Sequence, residues 1–230
     1  MKAHFLHASL IVLAVSGSTG LASGQQAQEP PAPARPWDGE TAIRVYARGG
    51  VGVSGDVRAR SDTTQIGAGV APSWNAALGV EIPLAHAFSV GFEARASSWS
   101  ASVPGTMSID QSMLLEISAV PRFRNPWSLS TGEHFSVGVA LPIGPTLSFL
   151  HENNQTDVLA MIGAHDGMGM GMHVGALAEI QAFVLPRFGI TFDVGYLHHF
   201  LWHPSAIAGQ RDVQIDFGQM VMRIGVIVAL

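Results

Sequence analysis

Three groups of residues in this chain have side chains suited to chemistry. The first is the run His165, Asp166, Gly167, Met168, Gly169, Met170, Gly171, Met172, His173, whose thioethers and imidazoles are donors that suit Cu(I). The same letters alternate with period two, which puts Met168, Met170 and Met172 on one face of a strand and the glycines on the other. Strand alternation is the simpler reading, so no copper site is expected. The second group is His198, His199 and His203 beside Trp202. Adjacent strand residues point to opposite faces, and no carboxylate stands at ligand spacing, so zinc is not expected either. The third is a Ser–His–acid hydrolase assembled from scattered serines, ten histidines and 17 acids. Such a triad needs spatial convergence, and no nucleophile motif marks it. The expectation is a chain without catalytic residues, metal or cofactor.

A fourth set is more informative because of where it falls. Arg44, Arg48, Arg95, Arg122 and Arg223 stand against Glu81, Glu93, Glu116, Glu179 and Asp193, five of each sign, on segments otherwise built from apolar and small residues. Charges taken out of water need counter-charges, and arginine offers a carboxylate a bidentate partner. These ten residues are expected to form an ion-pair network inside a narrow lumen and to plug it. The other reading is a gated path for ions or small solutes.

The elements that would hold such a network are strands. From Ile43 onward apolar residues fall on one parity and Gly, Ala, Ser or charge on the other. In the second strand Ile66, Ala68, Val70, Pro72, Trp74, Ala76, Leu78, Val80 and Ile82 share a face. Comparable alternation runs through Ile43 to Val53, Phe88 to Ser98, Met113 to Phe123, Phe135 to Ile143, Met168 to Val184, Phe188 to Trp202 and Met220 to Leu230. That makes eight strands, each about the nine residues a tilted strand needs to cross a bilayer. Long connections are expected at Ser54–Thr63, Trp99–Ser112, Thr146–Gly167 and His203–Asp212, a medium one at Arg124–His134, and tight ones at Pro83–Ala87 and Leu185–Arg187. Long on one side and short on the other is the habit of outer-membrane barrels. Pro72, Pro121 and Pro142 interrupt apparent strands and are expected at rims or bulges.

Alternation alone leaves open which face meets water, since a soluble barrel would put the apolar face inside. The polar parity carries about ten charges over eight strands, too few to solvate an exterior but suited to a narrow lumen. Lipid is therefore expected outside. Charged residues are only 13% of the chain, and Lys2 is its single lysine. Trp74, Trp99, Trp127, Trp202 and Tyr196 fall near strand ends, where membrane interfaces favour amphipathic rings. The connections on the long side hold Asp56, Asp62, Asp110, Glu152, Asp157, Asp166 and Asp212 against Arg58, Arg60 and Arg211, a net acidic rim. With 17 acids against 12 bases and no basic patch, a nucleic-acid partner is excluded.

Lys2, the apolar run Ala8–Val15 and the small residues near Ala22 and Gly24 read as a signal peptide over residues 1–24. Residues 25–40 are Pro, Gln and Ala-rich, a flexible periplasmic leader, and residues 41–230 form the barrel domain.

The last strand carries a resemblance. Arg223, Gly225, Val228 and Leu230 follow the terminal-strand pattern of outer-membrane proteins: a polar residue, a glycine two positions on, then hydrophobic residues at the third-last and last places. Leu230 stands where that pattern usually has phenylalanine. With its strand number, the chain resembles small OmpA/OmpX-type barrels across roughly residues 41 to 230. The resemblance implies a bacterial outer-membrane location, insertion by the barrel-assembly machinery, and lipid and lipopolysaccharide as surroundings. It carries no catalytic residues. The function expected is a structural or surface-interaction barrel; a narrow gated channel and a membrane-embedded lipid hydrolase are the alternatives.

Overall fold

A computed structural model describes residues 42–103, 107–128, 134–150, 167–205 and 209–230, giving the backbone alone at 102–103, 107–111 and 126–128. The expected signal peptide and leader, the acids Glu152, Asp157 and Asp166, and His165 lie outside the described residues. Ten strand segments follow one another: β1 (Arg44–Arg60), β2 (Gln65–Val70), β3 (Ser73–Ala85), β4 (Phe88–Val103), β5 (Met107–Ser128), β6 (His134–Ala140), β7 (Ile143–Phe149), β8 (Met168–Leu185), β9 (Phe188–His203) and β10 (Val213–Ala229). β2 and β3 together form one stave, and so do β6 and β7. The ladder therefore closes as an antiparallel ring of eight, with β1 paired to β10. Closure leaves no long open edge, which is the condition for strands to span lipid.

Proline chemistry explains the two broken staves. Pro72 separates β2 from β3, and Pro142 separates β6 from β7, each lacking the amide proton a ladder needs. Pro121 lies within β5, where its carbonyl accepts from the Leu141 amide at 3.0 Å. In an antiparallel pair one residue's N–H and C=O face the same neighbour, so the donor that Pro121 lacks would have pointed at the Leu141–Pro142 interruption. Two proline defects thus coincide at one place inside the wall, and not at a rim.

The strands run farther than the alternation indicated. The segments expected as long connections at Ser54–Thr63 and Trp99–Ser112 are mostly strand, and β5 continues past Arg124 to Ser128. β10 begins at Val213, seven residues before the expected Met220. The cause is a change of parity that hid the continuation. In β1 an extra residue at Ser54, with φ of 45°, forms a bulge between Val53 and Gly55. Arg44, Tyr46 and Arg48 point inward below it, and Val57 and Ala59 point inward above it. The break at Pro72 does the same to the second stave. Val70 is buried inside β2, whereas Ser73, Asn75, Ala77 and Glu81 are the buried positions of β3. Ile66, Ala68 and Val70 therefore do not share a face with Trp74, Ala76 and Leu78, which corrects the single-face reading.

On the β1–β2 side the barrel consequently reverses its outward face along its length, whereas β8 and β9 stay apolar outside to their far ends at Met170 and Trp202. In the half that holds Arg44 and Leu230, here the near half, large apolar side chains face outward, among them Leu78, Ile117 and Ile224 at 66%, 64% and 62% exposure. Charges fill its interior. In the far half Val57, Trp99, Leu114, Leu201, Ile215 and Phe217 pack together inside. On β1 and β2 of that half, Asp56, Arg58, Arg60 and Gln65 face out. Arg60 pairs with Asp216 at 3.6 Å, and the Asp62 carboxylate accepts the Arg211 amide at 3.2 Å. Asp56, Arg58 and Arg60 thus belong to a strand, not to a loop rim. Trp74, Trp202 and Tyr196 lie on the outer surface, but Trp99, expected at the interface, is completely buried in the lumen.

Candidate functional site

The candidate site is the filled lumen of the near half. Period-two geometry aims Arg44 and Arg48 of β1, Glu81 of β3, Glu93 and Arg95 of β4, Glu116 and Arg122 of β5, Glu179 of β8, Asp193 of β9 and Arg223 of β10 into one interior, and all ten are buried. The network can be followed pair by pair. Arg44 donates to Glu81 at 3.1 Å, and Arg124 donates to Glu81 and, at 2.8 Å, to Glu179. Glu179 also accepts Arg48 at 2.7 Å and Arg122 at 3.3 Å. Arg48 continues to Asp193 at 2.8 Å, and Arg223 bridges Asp193 and Glu93 at 2.8 and 2.7 Å. Seven strands are tied across the lumen in this way. Arg95 and Glu116 form a separate bidentate pair at 2.5 and 2.7 Å.

Arg124 is the member that the sequence reading missed. The alternation leaves it in a connection, and among the described residues the five-to-five balance becomes six buried arginines against five carboxylates. The signal was available, because Arg124 continues the inward series Ser118, Val120, Arg122 of β5. Tyr46 was missed as well. Two guanidiniums lie over its ring, that of Arg48 at 4.3 Å and that of Arg122 at 4.9 Å, and its hydroxyl accepts from Arg122 at 2.7 Å. Cations over a ring face gain electrostatic attraction, and more so where water is excluded. Two glycines make the space. A methyl group on Gly79 would overlap the Tyr46 ring, and one on Gly91 would overlap the Arg122 guanidinium.

Above Arg95 and Glu116 the charged layer meets the apolar one. His199 Nε2 is 2.7 Å from Glu116, while its ring stacks on Phe217 at 4.2 Å, and Phe217 stacks on Trp99 at 5.2 Å. His173 bridges Ser118 and Thr146, each hydroxyl 2.8 Å from a ring nitrogen, with Glu116 3.6 Å away. A serine next to a histidine is the start of a hydrolytic arrangement. Here Ser118 is fully buried, and the second ring nitrogen is engaged by a threonine. The histidines separate as alternation requires: His199 and His203 are buried inside, whereas His198 lies on the outer face against Phe200 at 4.5 Å. Met168, Met170 and Met172 face outward. Among the described residues no three His, Asp or Glu side chains are arranged to hold a metal ion.

In the terminal strand Arg223 belongs to the network, Gly225 packs against Arg48 of β1, and Val228 and Leu230 face outward.

No family model matches the chain, and neither does any curated protein. Solved structures do match in fold. The outer membrane protein OprG from Pseudomonas aeruginosa superposes with a TM-score of 0.53 at 14% identity, over 83% of this chain and 97% of that one. Neisserial surface protein A, at a TM-score of 0.37 and 14% identity, covers 82% of this chain and 97% of its own. Ail, the attachment invasion locus protein of Yersinia pestis, solved with a heparin analogue, gives 0.37 and 14% over 81% and 99%. The last two superpose too loosely to carry an argument. The likeness to OprG establishes the fold, that of a small bacterial outer-membrane β-barrel.

Proposed function

We propose that this chain is a non-enzymatic barrel of the bacterial outer membrane whose lumen is plugged, and that it serves a structural or surface-interaction role. The observation that carries the reading is the double filling of the interior. A charged layer tied across seven strands lies under an apolar layer in which Trp99, Leu114, Leu201, Val213 and Phe217 are fully buried. A water path through the barrel would have to displace both. The near half presents its apolar exterior to lipid, and the far ends of β1 and β2 present polar strand faces, suited to contact lipopolysaccharide or another surface. Arg223, Gly225, Val228 and Leu230 would engage the barrel-assembly machinery during insertion.

Planar-bilayer recording of the refolded chain tests this directly. The expected result is a flat baseline. Steady unitary openings, abolished by Arg48→Ala with Glu93→Ala, would establish a gated channel instead. Fatty acid released from purified lipopolysaccharide, and lost in Ser118→Ala, would contradict the non-enzymatic reading.

A further inference from the structure

The outward apolar faces of the wall are not equally tall. On β1 the apolar run extends from Ile43 to Val53 and ends before Asp56, whereas on β8 it extends from Val184 to Met168 without a polar residue. Both runs start at one level. The Leu230 amide donates to the Ile43 carbonyl, and the Ala229 amide donates to the Arg187 carbonyl in the β8–β9 turn, each at 2.9 Å. At about 3.3 Å per residue and a tilt of about 40°, the β1 run rises about 25 Å and the β8 run about 40 Å. The apolar band of an outer-membrane barrel is about 25 Å tall, so β1 matches it and β8 overshoots it by about 15 Å. Measured from the near end, the band stops on β8 close to Val174, whose partner on β9 is His198. Tyr196 and His198 are the first polar side chains on an outward face that is apolar from Phe188 onward, as a membrane interface requires. Above them the apolar face resumes. Leu115, Leu147, Met170 and Trp202 stand side by side on β5, β7, β8 and β9, and Met172 pairs with Phe200. All six are between 36% and 62% exposed. The face stops at Gln214 and Asp216 on β10, the partners of Trp202 and Phe200. Side chains of this size, half open, supply on the order of 100 Å² each, so the face measures on the order of 600 Å², the upper end of what a lone protein leaves to water.

We propose that this raised face of β5, β7, β8 and β9 is where a second copy of the chain docks. The inference deepens the surface-interaction reading above and rests on it. The membrane supplies the alignment. Copies inserted in one direction share one height, and a two-fold axis along the membrane normal lays the raised face of one on that of the other. Methionine and aromatic side chains are the types that interface cores favour. The area approaches the roughly 800 Å² that each partner gives to a stable interface, with the polar edge at Gln214 adding to it. The rotation carries the two Asp216 carboxylates to opposite sides of the contact, so like charges do not meet.

The test uses the full chain refolded in vesicles with lipid in large excess. The chain has no cysteine, so single ones can be placed at Leu147, Met170 and Trp202 on the raised face and at Leu78 on the opposite wall. A short bis-maleimide should join at least one of the raised-face cysteines to its own counterpart and leave Leu78→Cys single. Met170→Asp puts a charge on an outward position and leaves the lumen untouched, so the boil-dependent gel shift should persist. Sedimentation equilibrium in density-matched micelles should show its dimer at least about tenfold weaker than that of the wild type. Cross-linking no greater on the raised face than at Leu78, or a wild-type monomer at every concentration, overturns the proposal. So does a monomer whose Met170→Cys resists a membrane-impermeant maleimide, which would make lipid or residues 151–166 of the same chain the cover. A monomer with a flat bilayer baseline overturns this inference alone, and conductance from an intact dimer overturns the plug alone.

Discussion

Replacing Glu179 by glutamine changes the charge of the lumen with almost no change of shape. The carboxylate accepts Arg48 at 2.7 Å, Arg124 at 2.8 Å, Arg122 at 3.3 Å and the Gln181 amide at 3.0 Å. Hydrogen bonds to charged groups are worth about 1.5–3 kcal/mol each and are not additive. Glutamine keeps one acceptor oxygen but turns its amide donors toward guanidiniums, and among the described residues the excess of buried arginines over carboxylates rises from one to two. Removing one partner of a buried ion pair costs about 3–5 kcal/mol, and Glu179→Gln should fall in that range. Arg124→Met is the discriminating companion, because it removes a cation from the side in excess and should cost less than about 2 kcal/mol. The double variant should recover at least about half of the Glu179→Gln loss, as residues sharing one network do. Urea unfolding in lipid vesicles, read from the fluorescence of the five tryptophans, supplies the free energies. A cost below about 1 kcal/mol for Glu179→Gln, or an equal cost for Arg124→Met, would refute the argument that these charges depend on one another.

Three further outcomes follow from the same geometry and can be read in the same assay. Phe217→Ala, in the middle of the stack that joins His199 to Trp99, should destabilise by about 3–5 kcal/mol, the usual range for a buried phenylalanine; a loss under about 1 kcal/mol would mean that the far layer is loosely packed. Ser54→Val, at a φ of 45°, should cost about 1–2 kcal/mol through backbone strain alone. Ser54→Gly should cost nothing there, and equal stabilities of the two would remove the bulge from the account. Ile224→Arg places a charge on the outer face of β10 and should cost about 2–4 kcal/mol in a bilayer. The same change should be nearly silent if that face were in water.

The membrane half of the barrel was legible because its strands keep one parity from end to end. Arg44, Arg48, Glu93, Glu179, Asp193 and Arg223 could all be assigned to the interior from that rule, and the structure buries each of them. The far half was not legible. At Ser54 and Pro72 a single residue shifts the phase, so that apolar letters which mean lipid below the shift mean core above it. Val57, Ala59, Ile66 and Val70 looked like connection or like more membrane face. Trp99 was misplaced for the same reason, as an aromatic near the expected end of a strand that in fact continues to Val103. Pairing was beyond the sequence altogether. Alternation says that Glu81 and Arg124 both point inward, but only the ring order and register bring residues 43 positions apart into contact.

The central claim is that one wall faces lipid below the parity shift and water above it, and the absence of cysteine allows a direct test. Spin labels on single cysteines can be placed at Met220, Met222, Ile224 and Val226, at Val221 and Arg223, and at Arg58 and Arg60, in vesicles, with collisions measured against oxygen and against a water-soluble nickel complex. The account predicts oxygen-rich, nickel-poor environments at the four even positions of β10, shielding from both at Val221 and Arg223, and nickel access at Arg58 and Arg60. Nickel access at Met222 and Ile224 as high as at Arg58 would contradict it and place the whole barrel in water.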